Sequence, residues 1–195
     1  METYLRSSYF AFQHAYWQDS EMLKLLFLLL TASALMIQSA HGCCLPVSGA
    51  AIVVNGDTIR IGDHEIGLQA IDAPEVTQQC NLPSGTWDCS QAAITALTAM
   101  TSGQTVHSSG HGWDRSGRMI SHCKTDKVAD ISAKLVASGL AWAEVHRPEY
   151  STYYSEYIAL EKKARQRRIG IWQFETQPPW EYRAKVIGVK DTNRP

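Results

Sequence analysis

Residues 49–72, GAAIVVNGDTIRIGDHEIGLQAID, leave little choice of architecture. GAAIVV (49–54) is β-rich and runs into the turn pair Asn55-Gly56. DTIRIG (57–62) alternates apolar and polar and meets a second turn at Gly62-Asp63. HEIGLQAID (64–72) is a third run, ended by Pro74. Short runs separated by tight Gly turns predict a curled antiparallel meander. SQAAITALTAMTSG (90–103) then spaces Ile94, Leu97 and Met100 at helical intervals, with Ser90 as the expected N-cap and Gly103 as the stop. QTVHSS (104–109) and RMISHC (118–123) predict two further strands around the loop GHGWDRSG. DISAKLVASG predicts a short helix capped by Asp130 and stopped by Gly139, and LAWAEV a brief extended piece. STYYSEYIALEKKARQRRIG (151–170) predicts the longest helix. Five strands with a helix after the third and helices toward the C-terminus predict an α+β fold, a five-stranded OB-type barrel with three helices.

The N-terminal 42 residues read differently. Met22 is followed by Lys24 and an apolar run from Leu25 to Ile37, suited to a signal peptide and short for a bilayer span. Ala40-His41-Gly42 places small residues for a cut before Cys43, and translation starting at Met22 would account for the atypical residues 1–21. The expected organisation is a removed segment 1–42, a domain over 43–180 and a tail over 181–195. Such a chain is secreted or periplasmic, without stable membrane insertion, and is expected to be a monomer. Export permits disulfides. Cys80 and Cys89 flank a turn-rich loop and are the best pair, while Cys123 could join Cys43 or Cys44. Residues 43–195 carry 16 Lys+Arg and 16 Asp+Glu. That balance excludes a protein that grips nucleic acid through excess positive charge. The one basic run, EKKARQRR (161–168), reads as a solvated helix face.

Asp57, Asp72 and Glu75 are spaced as if to hold a metal and activate water, with Asp57 opening one strand and Asp72 ending the next. Taken in order, GDTIRI, IDAPE, DRSGR (114–118), LVASGLAWAEV and the final Tyr, Glu, Ala-Arg and Gly-Ile-Trp pattern resemble the staphylococcal nuclease, or thermonuclease, family. The resemblance spans about Ala51 to Trp180 and includes the cysteine loop seen in exported bacterial members. It implies an OB barrel that hydrolyses phosphodiesters of DNA or RNA with calcium. By that resemblance Asp57 and Asp72 bind calcium with the backbone carbonyl of Ala73. Glu75 is the general base or orients the water, and Arg118 binds the phosphate. Thr58 and Asn55 lie behind the metal ligands. Nucleic acid would be bound weakly and without sequence preference.

Three positions depart from the family pattern. Asn55 stands where an Asp usually precedes GDT, which lowers expected metal affinity modestly. Ser116 replaces an aromatic, removing a stacking wall. Gly67 stands where a second phosphate-clamping Arg is usual. Loss of one such donor costs roughly a hundred- to thousandfold in rate. Arg60 is expected to point to the opposite face from Asp57. Arg115 could swing in, Gln69 is a poor substitute, and His107, His111 and His122 lack a metal-ligand spacing. The resulting expectation is an exported calcium-dependent phosphodiesterase weakened at Gly67. The alternative is a catalytically degenerate accessory protein, as in exopolysaccharide (succinoglycan) biosynthesis, where exported relatives occur.

Overall fold

The computed structural model describes residues 45–114, 116–144 and 151–188. All of them fall within the compact unit Cys43–Pro195. The expected signal segment, Cys43, Cys44 and Arg115 lie outside the described residues.

Alternation in the opening segment becomes three antiparallel strands, β1 (Val47–Val53), β2 (Thr58–Ile61) and β3 (His64–Leu68). The hairpin β7 (Thr105–Trp113) and β8 (Met119–Lys124) closes them into a barrel in the order β1-β2-β3-β8-β7. The β3–β8 pairing is parallel and the others are antiparallel. Ile59, Ile61, Ile66, Leu68, Val106 and Met119 point into the core. Each such buried aliphatic side chain contributes about 1.5–3 kcal/mol. Arg60 is exposed opposite Glu65, as alternation requires. The expected OB-type barrel is therefore present.

Helix α1 (Cys89–Thr101) seals the barrel with Ala93 and Leu97. Its N-cap is Asp88 rather than Ser90: the Asp88 carboxylate accepts from the Gln91 N–H at 2.9 Å and the Ser90 hydroxyl at 2.7 Å. Helix α2 (Ile131–Ala137) has the predicted Asp130 cap, which accepts from the Ala133 N–H at 2.9 Å. Helix α3 (Ser151–Arg167) ends three residues before the expected Gly170. Gly139 and Gly170 let two backbones touch there, the Ile171 N–H donating to the Gly139 carbonyl at 2.9 Å. A Cβ on Gly170 would lie 2.0 Å from that carbonyl oxygen. In the basic run, Arg165 is not simply solvated. It pairs with Glu161 at 2.8 Å and lies 3.7 Å over the Trp172 ring.

Three features differ from expectation. The third strand breaks at Ala70, whose φ of 55° turns the chain off the barrel. Ile71 and Asp72 then form β4 (Ile71–Asp72) against β9 (Trp142–Ala143). The cysteine loop is a small hairpin, β5 (Cys80–Leu82) with β6 (Gly85–Trp87), closed by the predicted Cys80–Cys89 disulfide. Cys123 is a free thiol rather than a partner for Cys43 or Cys44, because β8 buries it completely in the core. Finally, the expected boundary at Trp180 falls inside a fourth helix, α4 (Pro179–Ile187), which starts on Pro179 and ends at a left-handed Gly188. No helix among the described residues is long and apolar enough to cross a membrane.

Helix α4 is anchored by a second small core of Cys80, Cys89, Trp142 and Ile171, with Trp87, Trp172 and Trp180 packed on it. Trp180 meets Trp142 edge-to-face at 6.1 Å. The chain leading into α4 is tied down twice. The Asn81 amide donates to the Glu175 carbonyl and the Gln78 amide to the Gln177 carbonyl, both at 2.7 Å.

Candidate active site

The β1–β2 turn carries Asp57. Asn55 accepts the Asp57 N–H at 3.0 Å, an Asx-type turn that fixes the backbone of Asp57. Gly56 is required by close approach: a Cβ there would stand 2.8 Å from the Ala73 Cβ and 2.9 Å from the Ala93 Cβ. That approach lets Asp57 accept the Ala73 N–H at 3.0 Å on one oxygen and the Thr58 hydroxyl at 2.9 Å on the other. The turn is thereby fastened to the residue that follows Asp72. Burial, then the nearby charge of Asp72, push the Asp57 carboxyl up to about 6; the Ala73 N–H, Arg118 and Thr58 oppose the shift without cancelling it. Two carboxylates thus strain against each other at the barrel edge.

Arg118 is built into its loop by Asp114. The Asp114 carboxylate accepts the backbone N–H groups of Ser116 (2.8 Å) and Arg118 (2.9 Å) and the Arg118 Nε–H (2.7 Å). Burial works against the Asp114 charge, but these donors hold its carboxyl below the usual range. With Nε committed, the Arg118 Nη1 donates to the Thr58 hydroxyl at 2.8 Å. Arg118, Thr58 and Asp57 form one chain of hydrogen bonds, so Thr58 bridges the expected phosphate ligand and the expected metal ligand. Asp114 as the orienting group was missed by sequence reasoning, although an Asp four residues before the Arg across a Gly turn is its signature.

Glu75 follows Asp72 on a loop held by Gln78, whose amide oxygen accepts the Glu75 N–H at 3.0 Å. Gly67 faces the same site: a Cβ there would lie 3.9 Å from the Arg118 Cζ and 2.7 Å from the Ile120 Cδ1. The buried Gln69 makes no hydrogen bond to the acidic residues. His107 bonds Ser48 and His122 pairs with Asp130, so these two serve separate parts of the barrel.

A second guanidinium reaches the acidic residues from a direction that sequence reasoning did not anticipate. Arg183 of α4 donates through Nη1 and Nη2 to the two Asp72 oxygens at 3.0 and 2.9 Å, and through Nη1 to Glu75 as well. Burial opposes its charge, but Asp72 and Glu75 outweigh that and hold it firmly protonated. The signal was faint: PPWEYR places Trp180 and Arg183 three residues apart, on one face of a helix begun by proline.

The donors at this edge are oxygens, which suits a hard cation such as calcium. A cation between Asp57 and Asp72 would offset the Asp72 charge that, after burial, raises the Asp57 carboxyl, and it would have to displace Arg183 from the Asp72 oxygens. No cluster of three or more His, Cys, Asp or Glu side chains arranged to hold a metal occurs among the described residues. Further ligands would therefore be backbone carbonyl oxygen, as expected for Ala73, and water.

Comparison with known proteins agrees with the fold. Residues 65–174 match the model of the staphylococcal nuclease homologue family, more than half of the chain. The succinoglycan biosynthesis protein ExoI of Rhizobium meliloti (strain 1021) is 30% identical over 79% of this chain and 78% of its own length. An uncharacterized endonuclease of Escherichia coli O157:H7 is 28% identical over 72% of this chain and 87% of its own. On these matches and the closed barrel, the chain belongs to the family of staphylococcal nuclease homologues.

Proposed function

We propose that this protein is a calcium-dependent phosphodiesterase that cleaves nucleic acid outside the cytoplasm. The observation that carries the reading is the hydrogen-bonded chain from Arg118 through Thr58 to Asp57, set beside Asp72 and Glu75. In this reading Asp57, Asp72 and the Ala73 carbonyl would hold the cation, which would supply positive charge to the phosphate and the attacking water. Glu75 takes a proton from water as its oxygen bonds to phosphorus. The bond from phosphorus to the leaving oxygen then breaks, and that oxygen gains a proton from solvent. Arg118 binds phosphoryl oxygens, where it stabilises charge that grows in the transition state. The Cys80–Cys89 disulfide supports an oxidising compartment.

The test is hydrolysis of single- and double-stranded DNA and of RNA by the purified protein, with calcium and with chelator. Calcium-dependent cleavage abolished in Glu75→Gln and Asp57→Asn is expected. A second reading, a non-catalytic accessory of exopolysaccharide assembly, is favoured by Gly67 and by the likeness to a protein named for succinoglycan biosynthesis. Calcium binding without cleavage of any of these substrates would select it.

A further inference from the structure

We infer that Arg183 is a second phosphate-binding guanidinium of this site, supplied by helix α4, which lies beyond the residues 65–174 that match the family model. The inference rests on the phosphodiesterase reading for the identity of its ligand, and on independent geometry for its position.

Charge balance favours a second guanidinium. Asp57, Asp72 and Glu75 surround the place where a phosphodiester would react, and its transition state adds further negative charge. Among the side chains, Arg118 meets that charge beside the proposed cation, with its Nε and one Nη1 hydrogen already committed to Asp114 and Thr58. Arg183 shares the work with what its ion pairs leave: Nη1 gives both hydrogens to Asp72 and Glu75 and Nη2 gives one to Asp72, so Nε and the second Nη2 hydrogen remain, and a cation taken up by Asp72 would free the others. Its Nη1 touches Glu75, the group proposed to take a proton from water. A water in hydrogen-bond reach of Glu75 is roughly 2.6–3.2 Å from it, and reacting phosphorus sits about 3–3.5 Å beyond that water. The oxygens on that phosphorus therefore come within reach of the Arg183 fork. The side chain keeps 32% of its surface exposed, so the fork is not enclosed by its acidic partners.

Position 67 and position 183 are alternative sources of the same charge. Gly67 offers no side chain beside Arg118, while Arg183 arrives at Asp72 and Glu75 on a helix that begins after residue 174, where the family match ends. That helix does not depend on the ion pair for its seat. Trp180 packs on Trp142, and the Gln78 and Asn81 amides hold the segment before it. The arrangement is that of an anchored arm presenting a guanidinium.

The test uses the whole protein and two readouts, cleavage of DNA and equilibrium binding of a phosphorothioate oligonucleotide that resists cleavage. Arg183→Ala is expected to lower kcat/KM by about a hundred- to thousandfold and to weaken binding at least tenfold. Arg183→Lys, which keeps the charge but lacks the fork, should recover less than a tenth of the loss. It also answers the question if thermal melts show that Arg183→Ala fails to fold. Adding Gly67→Arg to Arg183→Ala should restore binding, since only the movable end of Ile120 stands in its way. Cleavage and binding unchanged or improved in Arg183→Ala would overturn the inference while leaving the phosphodiesterase reading in place. Binding that depends on Arg183 in a wild type that cleaves nothing would do the reverse. A wild type that neither binds nor cleaves would remove both.

Discussion

At the residue scale, Asp57 offers a clean electrostatic test. Burial and Asp72 raise its carboxyl from 3.8 in an unstructured chain to about 6 in the folded protein. The folded state therefore holds that proton more tightly. The stability this contributes is fully present below about pH 3.8 and is lost as pH rises through about 6. Other acids move in the opposite sense: Asp114 and Asp130 are held below their usual values by their hydrogen-bond donors despite burial, so raw stability mixes both trends. Comparing wild type with Asp57→Asn by urea denaturation isolates the one group. Wild type should lose ground against the variant between about pH 4 and pH 6 without calcium, and calcium should reduce that loss. A difference that stays flat across the range would contradict the assigned environment. Asp114→Ala tests orientation instead. It should leave the Arg118 charge intact yet lower the cleavage rate about tenfold or more, with KM changing less, because a 1 Å misplacement of a binding group can cost about a hundredfold.

At the scale of single elements, the β1–β2 turn is held by a contact that admits no Cβ. Gly56→Ala should destabilise the protein by about 1–3 kcal/mol, read as a lower denaturation midpoint at unchanged slope, because Ala73 and Ala93 would be forced apart. Elements of this kind differ in how far they can be read ahead of the structure. The first three strands were legible because alternation and glycine turns are local signals. The acidic residues and Arg118 could be named as candidates because their motifs keep local spacing. The break after Leu68 was not, since it depends on one alanine adopting a left-handed backbone that its own chemistry disfavours. Helix α4 was readable only as the end of the domain and the tail over 181–195. Its contribution to the site is tertiary, since Arg183 meets Asp72 across 111 residues and no local pattern encodes such a meeting.

At the scale of the whole molecule, a chain with 16 basic and 16 acidic residues from Cys43 onward has little long-range field to draw in a polyanion. Binding should therefore rest on the few cations at the site. With Arg118 and Arg183 as the phosphate contacts, the logarithm of affinity should fall with the logarithm of salt at a slope of about −1.4 to −1.8. A slope several times steeper would show that another basic surface carries the substrate. The Cys80–Cys89 bridge closes a short loop, with a sequence separation of 9, and should stabilise the fold by about 3 kcal/mol on loop entropy. Since the same hairpin holds the lead-in to α4, reduction should loosen α4 before the barrel unfolds, measured as early loss of amide protection in residues 179–187. The distance along the chain between Glu75 and Arg183, 108 residues, also sets an order in time. A growing polypeptide presents its acidic residues first, and at about 5–20 residues per second it waits roughly 5–20 s for the arginine that neutralises them. During that interval the nascent protein carries Asp72 and Glu75 without their Arg183 partner, so the ion-paired cluster is complete only when α4 has been made.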